Sequence, residues 1–321
     1  MPDTRKTAIG GQALIEGIVM RGKHVAAMGI RLPNGEIEIT RKDLTPLRDK
    51  YKILGVPVIR GVVNFIESIV FGYGCLMESA EKSGMEDTPA ESKVDKWLEE
   101  HFSDKVMPIV GVISAILGVL LSLGLFMYLP ALINDALDKW VFSGGIAKHN
   151  LQPLVEGIIK IIVFILYMWA VAQMKDIKRV FMYHGAEHKT IFCYENGLEL
   201  TVENVRKQIR FHPRCGTSFM FVMMILSIFI ATILVLIFPG IRANRLIWVL
   251  AKLLVLPLVM GIGYEFIKYA GRHDNLFTKI CSAPGLWMQR ISTVEPDDSM
   301  IEVGIEAFKY VLENDENLDI K

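Results

Sequence analysis

The stretch Tyr183-His184-Gly185-Ala186-Glu187-His188-Lys189 gathers the residue types that hold metal ions. On a helix, His184 and His188 share a face four residues apart, and Glu187 stands beside His184 across one turn. Two imidazoles at that spacing chelate one divalent ion, and the carboxylate can act as base toward a water the ion activates. The order H-x-x-E-H is that of the inverted zincins, so the chemistry it points to is zinc-dependent hydrolysis with Glu187 as the catalytic residue. A competing reading makes the three residues an interfacial polar cluster that hydrogen-bonds to headgroups or helix ends. Gly185 weakens the helix by about 1 kcal/mol relative to alanine.

A catalytic zinc needs a third protein ligand. Glu265 is the first candidate, because an ionisable group at the end of an apolar segment calls for a partner or a cation. His212-Pro213-Arg214-Cys215 offers two alternatives, His212 and Cys215, against a proline-induced turn with a buried thiol. The glycine-dense start, Gly10-Gly11-Gln12-Ala13-Leu14-Ile15-Glu16-Gly17, matches no phosphate loop or dinucleotide fingerprint. Its Gly-Gly-Gln tripeptide also occurs in peptidyl-tRNA hydrolysis by release factors, but three residues carry little. A tight buried turn is the expectation there, with Glu16 and Arg21 as polar partners of the metal region. His24, His101, His149 and His273 belong to no constellation and are read as structural.

These residues must be positioned by helices in a membrane. Val106–Asn134 runs 29 residues without a charge and Cys215–Ile241 runs 27. Each exceeds the roughly 20 residues that cross a hydrocarbon core. Leu154–Met174 and Leu246–Ile267 read as two further spans, with Glu156, Lys160, Lys252 and Glu265 toward their ends, where long side chains reach the interface. The segment 175–217 carries eight basic residues and Pro130–Pro153 only two, which puts 175–217 and both termini in the cytoplasm. Arg242 and Arg245 in the third loop weakly oppose this orientation. A cytoplasmic setting also keeps the four cysteines, which form no C-x-x-C pair, reduced. The N-terminus has no apolar h-region, so no secretory signal is expected.

The expected fold is therefore mainly α, a polytopic membrane protein of about four transmembrane helices with a small N-terminal α+β cytosolic region. The first division is 1–105, where 26–32 and 36–40 read as a hairpin closed by Pro33-Asn34-Gly35. Apolar residues at helical spacing through Val62–Ala80 are interrupted by Asn64, Glu67 and Glu78. That stretch reads as a core helix or one lying on the membrane surface. Residues 81–105 are a charged connector. The second division is 106–292, and the third is the acidic helix of 293–321, with nine acidic and two basic residues in a chain of net charge zero. Asp297 or Asp298 caps that helix, and Ile301, Ile305, Phe308 and Val311 share one face. It is expected to pack on the cytosolic domain, with a partner-docking tail as the alternative. With 52% apolar residues the chain is not disordered, and its zero net charge offers no field for nucleic acid, so no such partner is expected.

The segments GGQALIEGIVMRG, PVIRGVVNFIESIVFGYG, YHGAEHKTIFCYENG, HPRCGTSF and EPDDSMIEVGIEAF together resemble the DUF1385 family of bacterial membrane proteins. The resemblance covers nearly the whole chain and implies a bacterial cytoplasmic-membrane location and a metal-dependent enzyme. It implies no particular substrate. Two functions stand side by side. The first is a zinc-dependent hydrolase at the cytoplasmic face, acting on a membrane peptide or lipid-linked substrate. The second is a non-catalytic factor for membrane-protein insertion, assembly or quality control, whose metal is structural. The lipid bilayer is a partner of either, and self-association into a homo-oligomer is left open. A transporter is disfavoured by the lack of matched, broken helices.

Overall fold

The computed structural model describes residues 6–84, 107–142, 151–273, 275–316 and 318–320. His101, His149 and the connector beyond residue 84 lie outside them. Two compact units are present: residues 1–85, 168–223 and 256–321 form one, and 86–167 with 224–255 form the other.

The first unit is built on an antiparallel four-stranded meander, β2 (Gly10–Leu14), β3 (Gly17–Arg21), β4 (Val25–Arg31) and β5 (Ile37–Asp43), in that spatial order. β1 (Lys6–Thr7) pairs separately with β6 (Asp319–Ile320), joining the two ends of the chain. The β4–β5 hairpin closes through Pro33-Asn34-Gly35, and Gly35 takes φ +88°, which glycine adopts without a Cβ penalty. The glycine-dense start is strand β2 rather than the expected buried turn. The bend follows it at Ile15-Glu16, where Glu16 sits at φ +49°.

Both faces of the sheet are covered, so β4 reads as a continuous apolar run instead of an alternating one. Leu14, Val19, Met28 and Ile30 pack against Phe71, Cys75 and Leu76 of α2 (Ile59–Lys82; α1 is the short Leu47–Lys50). Ile18, Met20 and Ala27 face the other way, into a core shared with the C-terminal helix Asp298–Asn314 and the helix Lys175–Glu195. The acidic tail is thus a packed helix: Asp297 caps it by accepting from the Met300 N–H at 3.0 Å, and Ile301, Ile305, Phe308 and Val311 are all buried. Each such side chain contributes about 1.5–3 kcal/mol of burial.

The remaining helices are α3 (Met107–Leu123), continuing through a π turn at Gly124–Tyr128 into α4 (Leu129–Trp140), α5 (Gln152–Val171), α6 (Lys175–Glu195), α7 (Val202–Arg206), α8 (Gly216–Ile237), α9 (Arg245–Arg272), α10 (Leu276–Ser292) and α11 (Asp298–Asn314). Among the described residues, five stretches are long and apolar enough to cross a membrane: Ile59–Lys82, Ile116–Trp140, Gln152–Val171, Gly216–Ile237 and Leu246–Ala270. The sequence reading of about four transmembrane helices is not matched exactly, because Ile59–Lys82 also meets these criteria of length and composition. Glu67 near its middle, with charges at both ends, holds its mean hydropathy at 1.3, against 2.2 to 3.0 for the others.

In the second unit, Glu156 does not reach an interface as expected. It is buried, accepts from Lys252 and from Trp248 Nε1 at 3.4 Å, and lies 3.6 Å from Arg242. A carboxylate inside an apolar bundle is tolerated when cations surround it in this way. Gly157 on the next position admits Ile228.

Candidate metal centre

α6 carries His184, Glu187 and His188 into the centre of the first unit. A helix with its middle turns buried on several sides needs small residues where other backbone approaches. Gly185 supplies one: a Cβ there would overlap the Val294 carbonyl oxygen. The segment after α10 therefore runs directly along α6, and the Val294 N–H donates to the Phe181 carbonyl at 2.9 Å.

Among the described residues, His184, His188 and Cys215 form a group whose ligand atoms all lie within 4.8 Å of one another. His184 Nδ1 is 2.8 Å from the Ser292 carbonyl oxygen and His188 Nδ1 is 2.5 Å from the Arg210 carbonyl oxygen. A carbonyl only accepts, so each Nδ1 carries the proton and each Nε2 turns its lone pair the other way. His184 Nε2 lies 3.2 Å from Cys215 Sγ. Glu295 bonds both Lys189, at 2.5 Å, and Arg210, at 2.6 Å, and so holds in place the residue whose carbonyl orients His188.

Burial alone would lower the His184 pKa, but the Cys215 thiolate outweighs it, with Glu187 and the Ser292 carbonyl adding to it, and the imidazole is pushed up to about 9. Cys215 is held well below the ordinary thiol value, because His184 and His188 overcome the burial that opposes ionisation. Without an ion, both shifts favour a proton on the His184 side of the His184–Cys215 contact, and a bound ion would displace it. Glu187 goes the other way: burial raises its carboxyl above the usual range despite the two imidazoles.

Glu187 is only 5% exposed and lies outside the three-donor group. The Gly11 N–H bonds its carboxylate, and a Cβ on Gly11 would come within 2.8 Å of Glu187 Cγ. Strand β2 therefore lies flat across α6 at this point, which only a glycine permits. Glu187 Oε2 is buried with no hydrogen-bond partner. A buried orphan oxygen costs free energy and calls for a donor that the protein does not supply.

The other sequence candidates lie outside the three-donor group, although the His212 ring stands 5.6 Å from that of His188. Glu265 accepts from Arg60 Nε at 2.6 Å and takes no part in the group. The His212 ring faces Glu195 at 3.6 Å and packs on Phe192, while its backbone N–H and C=O are both bonded by the Gln289 side chain at 2.7 Å. Cys215 takes the third position. Glu16 accepts from Arg179 at 2.5 Å and from the Tyr183 hydroxyl at 3.2 Å, next to the first histidine. Arg21 points away, donating to Ser68 Oγ at 3.2 Å and lying over Phe71. The His24 N–H donates to the Asp315 carboxylate at 2.8 Å and the His273 ring stacks on Tyr269 at 4.2 Å, and neither histidine joins the group. Sequence reasoning missed Gly11, Gln289 and the carbonyls of Ser292 and Arg210. The carbonyls have no side-chain signature, whereas the paired glycines at 10 and 11 were a visible signal.

Fold and site together define a multi-pass helical membrane protein with a candidate His-His-Cys metal centre in its sheet-containing unit. The chain belongs to the DUF1385 family, whose model, described as "Protein of unknown function (DUF1385)", matches residues 56–314. A Bacillus subtilis (strain 168) protein described as "Uncharacterized protein YqhQ" is 34% identical over 311 residues, covering 95% of this chain and 92% of the relative. No solved structure matches.

Proposed function

We propose that this protein is a zinc-dependent hydrolase of the bacterial cytoplasmic membrane, acting on a membrane peptide or a lipid-linked substrate. The observation that carries the proposal is the unpartnered, buried Glu187 Oε2 beside three donors already oriented for an ion. Two imidazoles and a thiolate suit zinc better than the hard cations that prefer oxygen, and three protein ligands leave one position open, as catalytic sites require. A zinc ion bound there would lower the pKa of a coordinated water toward neutrality and polarise the bond under attack. His184 and His188 supply Nε2, with tautomers fixed by Ser292 and Arg210. Glu187 takes up the water's proton, its carboxyl raised toward the range where a base works near neutral pH. The basic segment 175–217 supports a cytoplasmic site and cytoplasmic termini. Arg242, one of the two residues that oppose this orientation, pairs with Glu156 at 3.6 Å.

The burial of the donors favours a second reading, a structural ion in a non-catalytic membrane factor: His188 is 2% and Cys215 8% exposed. The test is metal analysis of the purified full-length protein with turnover in proteoliposomes supplied with membrane lipid extract or transmembrane peptides. Wild type should hold about one zinc per chain, and His184→Ala/His188→Ala none. Glu187→Gln should keep the ion and lose turnover. Wild-type protein without stoichiometric metal overturns both readings, and full activity in Glu187→Gln overturns the catalytic one.

A further inference from the structure

α2 and α10 are amphipathic the wrong way round for water. On α2, Ile66, Ile69, Val70, Tyr73 and Met77 recur at helical spacing and are 49–67% exposed. The opposite face, Gly61, Gly72, Cys75 and Ser79, is buried, and the charged ends turn to protein partners. Arg60 pairs with Glu265, while Glu78 and Lys82 pair with Lys42 and Glu38 on the sheet. On α10, Leu276, Phe277, Ile280 and Trp287 are 51–73% exposed, whereas Thr278, Ser282, Gln289 and Ser292 are buried. Polar residues inside and apolar residues outside is the pattern of a helix whose outer solvent is hydrocarbon.

α2 is long enough to cross a bilayer, yet the chain's connectivity forbids it. β1 pairs with β6 residue by residue, Lys6 with Ile320 and Thr7 with Asp319, so both ends lie on one side. The number of crossings between them is then even. Among the described residues, the four helices Ile116–Trp140, α5, α8 and α9 satisfy this, and a fifth crossing by α2 would place β1 and β6 on opposite faces. The contacts of α2 agree. From Ser68 onward it lies along the sheet, with Ser68 bonding Arg21, Gly72 against Gln12, and Ser79 Oγ accepting from the Ile15 N–H.

Both helices meet the same end of α9. Gly61 lies against Gly261 and Tyr264, and Phe277 packs edge-on against Phe266 at 5.9 Å. That end of a span is where the chain leaves the hydrocarbon. Exposed Lys279 and Arg290 flank the stripe on α10, and just before α2 exposed Arg48, Lys50 and Lys52, with one acidic residue, Asp49, beside Arg48, are interspersed with Leu47, Tyr51 and Ile53. Cations beside an exposed apolar stripe match an anionic lipid surface.

We infer that α2 and α10 lie in the plane of the membrane surface, on the side of the termini, with their outer stripes immersed in an anionic lipid leaflet. The metal centre then sits on the inner face of an immersed helix, since Ser292 of α10 orients His184. One helix diameter, about 10 Å, separates it from lipid. The inference stands whether or not the ion is catalytic.

The experiment uses the full chain in nanodiscs of phosphatidylcholine and phosphatidylglycerol, on a Cys281→Ser background. Single Ile66→Cys, Val70→Cys, Tyr73→Cys, Met77→Cys, Phe277→Cys, Ile280→Cys and Trp287→Cys variants are spin-labelled. Their depth is read from collisions with oxygen against a water-soluble nickel chelate. In-plane helices give nearly constant, shallow depths along each stripe. A crossing helix gives a depth changing by about 16 Å between positions 66 and 77 at 1.5 Å per residue, and overturns the inference. Labels that meet only the chelate, or neither probe because a second copy covers them, overturn it as well. Impermeant maleimide labelling of Ser83→Cys and Asn314→Cys in the full chain in sealed membrane vesicles provides the independent check. Both must label from one side, and labelling from opposite sides refutes the parity argument.

Discussion

Gly185→Ala sets two effects of opposite sign against each other. In a helix the added methyl is worth about 1 kcal/mol of stabilisation. Here the same methyl would overlap the carbonyl oxygen of Val294 and come within 3.3 Å of its carbonyl carbon and 3.4 Å of Pro296 Cδ. The obstacle is backbone, so it cannot rotate aside, and residues 292–296 must move away from α6. Two hydrogen bonds go with them, Val294 N–H to Phe181 O at 2.9 Å and His184 Nδ1–H to Ser292 O at 2.8 Å. They contribute about 1 kcal/mol each, and overpacking adds about 1–3 kcal/mol. The net expectation is a destabilisation of about 2–4 kcal/mol after the helical gain is deducted. Because His184 loses the acceptor that fixes its tautomer, zinc affinity should fall by about 10–100-fold. The assays are thermal denaturation of the metal-free protein and competition for zinc against a chromophoric chelator. A variant about 1 kcal/mol more stable than wild type with unchanged affinity would refute the reasoning, since propensity alone would then have won.

Two further predictions rest on the same site. Cys215→Ser should weaken zinc roughly a hundredfold, about one quarter of the 10–16 kcal/mol of a four-ligand site, and abolish the thiolate charge-transfer band of the cobalt-substituted protein. His212→Ala and Glu265→Gln should leave both readings near wild type, and a reversal of this order would show that the third ligand is not Cys215. The pH dependence of the metal-free protein follows from proton counts. His184 is raised from 6.5 to about 9 and Cys215 lowered from 9.0, so between those values the folded pair holds one proton on the imidazole. The unfolded chain also holds one there, on the thiol. The stability His184 loses as pH rises is matched by what Cys215 gains, and the pair's contribution is flat. Below about 6.5 the unfolded chain takes a second proton and the contribution falls, by up to about 1.4 kcal/mol per unit. The measurement is the stability difference between wild type and His184→Ala/Cys215→Ala from about pH 5.5 to about 9; a steady decline across the upper half of that range would contradict the paired assignment.

Local pattern settled what depends on neighbours in the chain. The i, i+4 spacing of His184 and His188 puts them on one helix face whatever surrounds it, and their rings stand 4.4 Å apart. Pro33-Asn34-Gly35 closes the hairpin by its own backbone preferences, and uncharged runs of 29 and 27 residues form long apolar helices because no aqueous fold would solvate them. Asp297 caps α11 through a bond three residues away.

The rest was decided at long range. Whether Glu265, His212 or Cys215 joins the histidines depends on which side chain competes for each. Arg60, 205 positions away, claims Glu265, and Gln289 with Glu195 locks His212 away from the group. Glu187 is left with an unpartnered oxygen because β2 of the N-terminal sheet closes over it. α2 has the composition of a span, and the inference that it stays on one side rests on a long-range pairing of the two chain ends, through β1 and β6. Sequence periodicity tells which residues share a face; what that face meets is set by contacts between residues hundreds of positions apart, which no local pattern encodes.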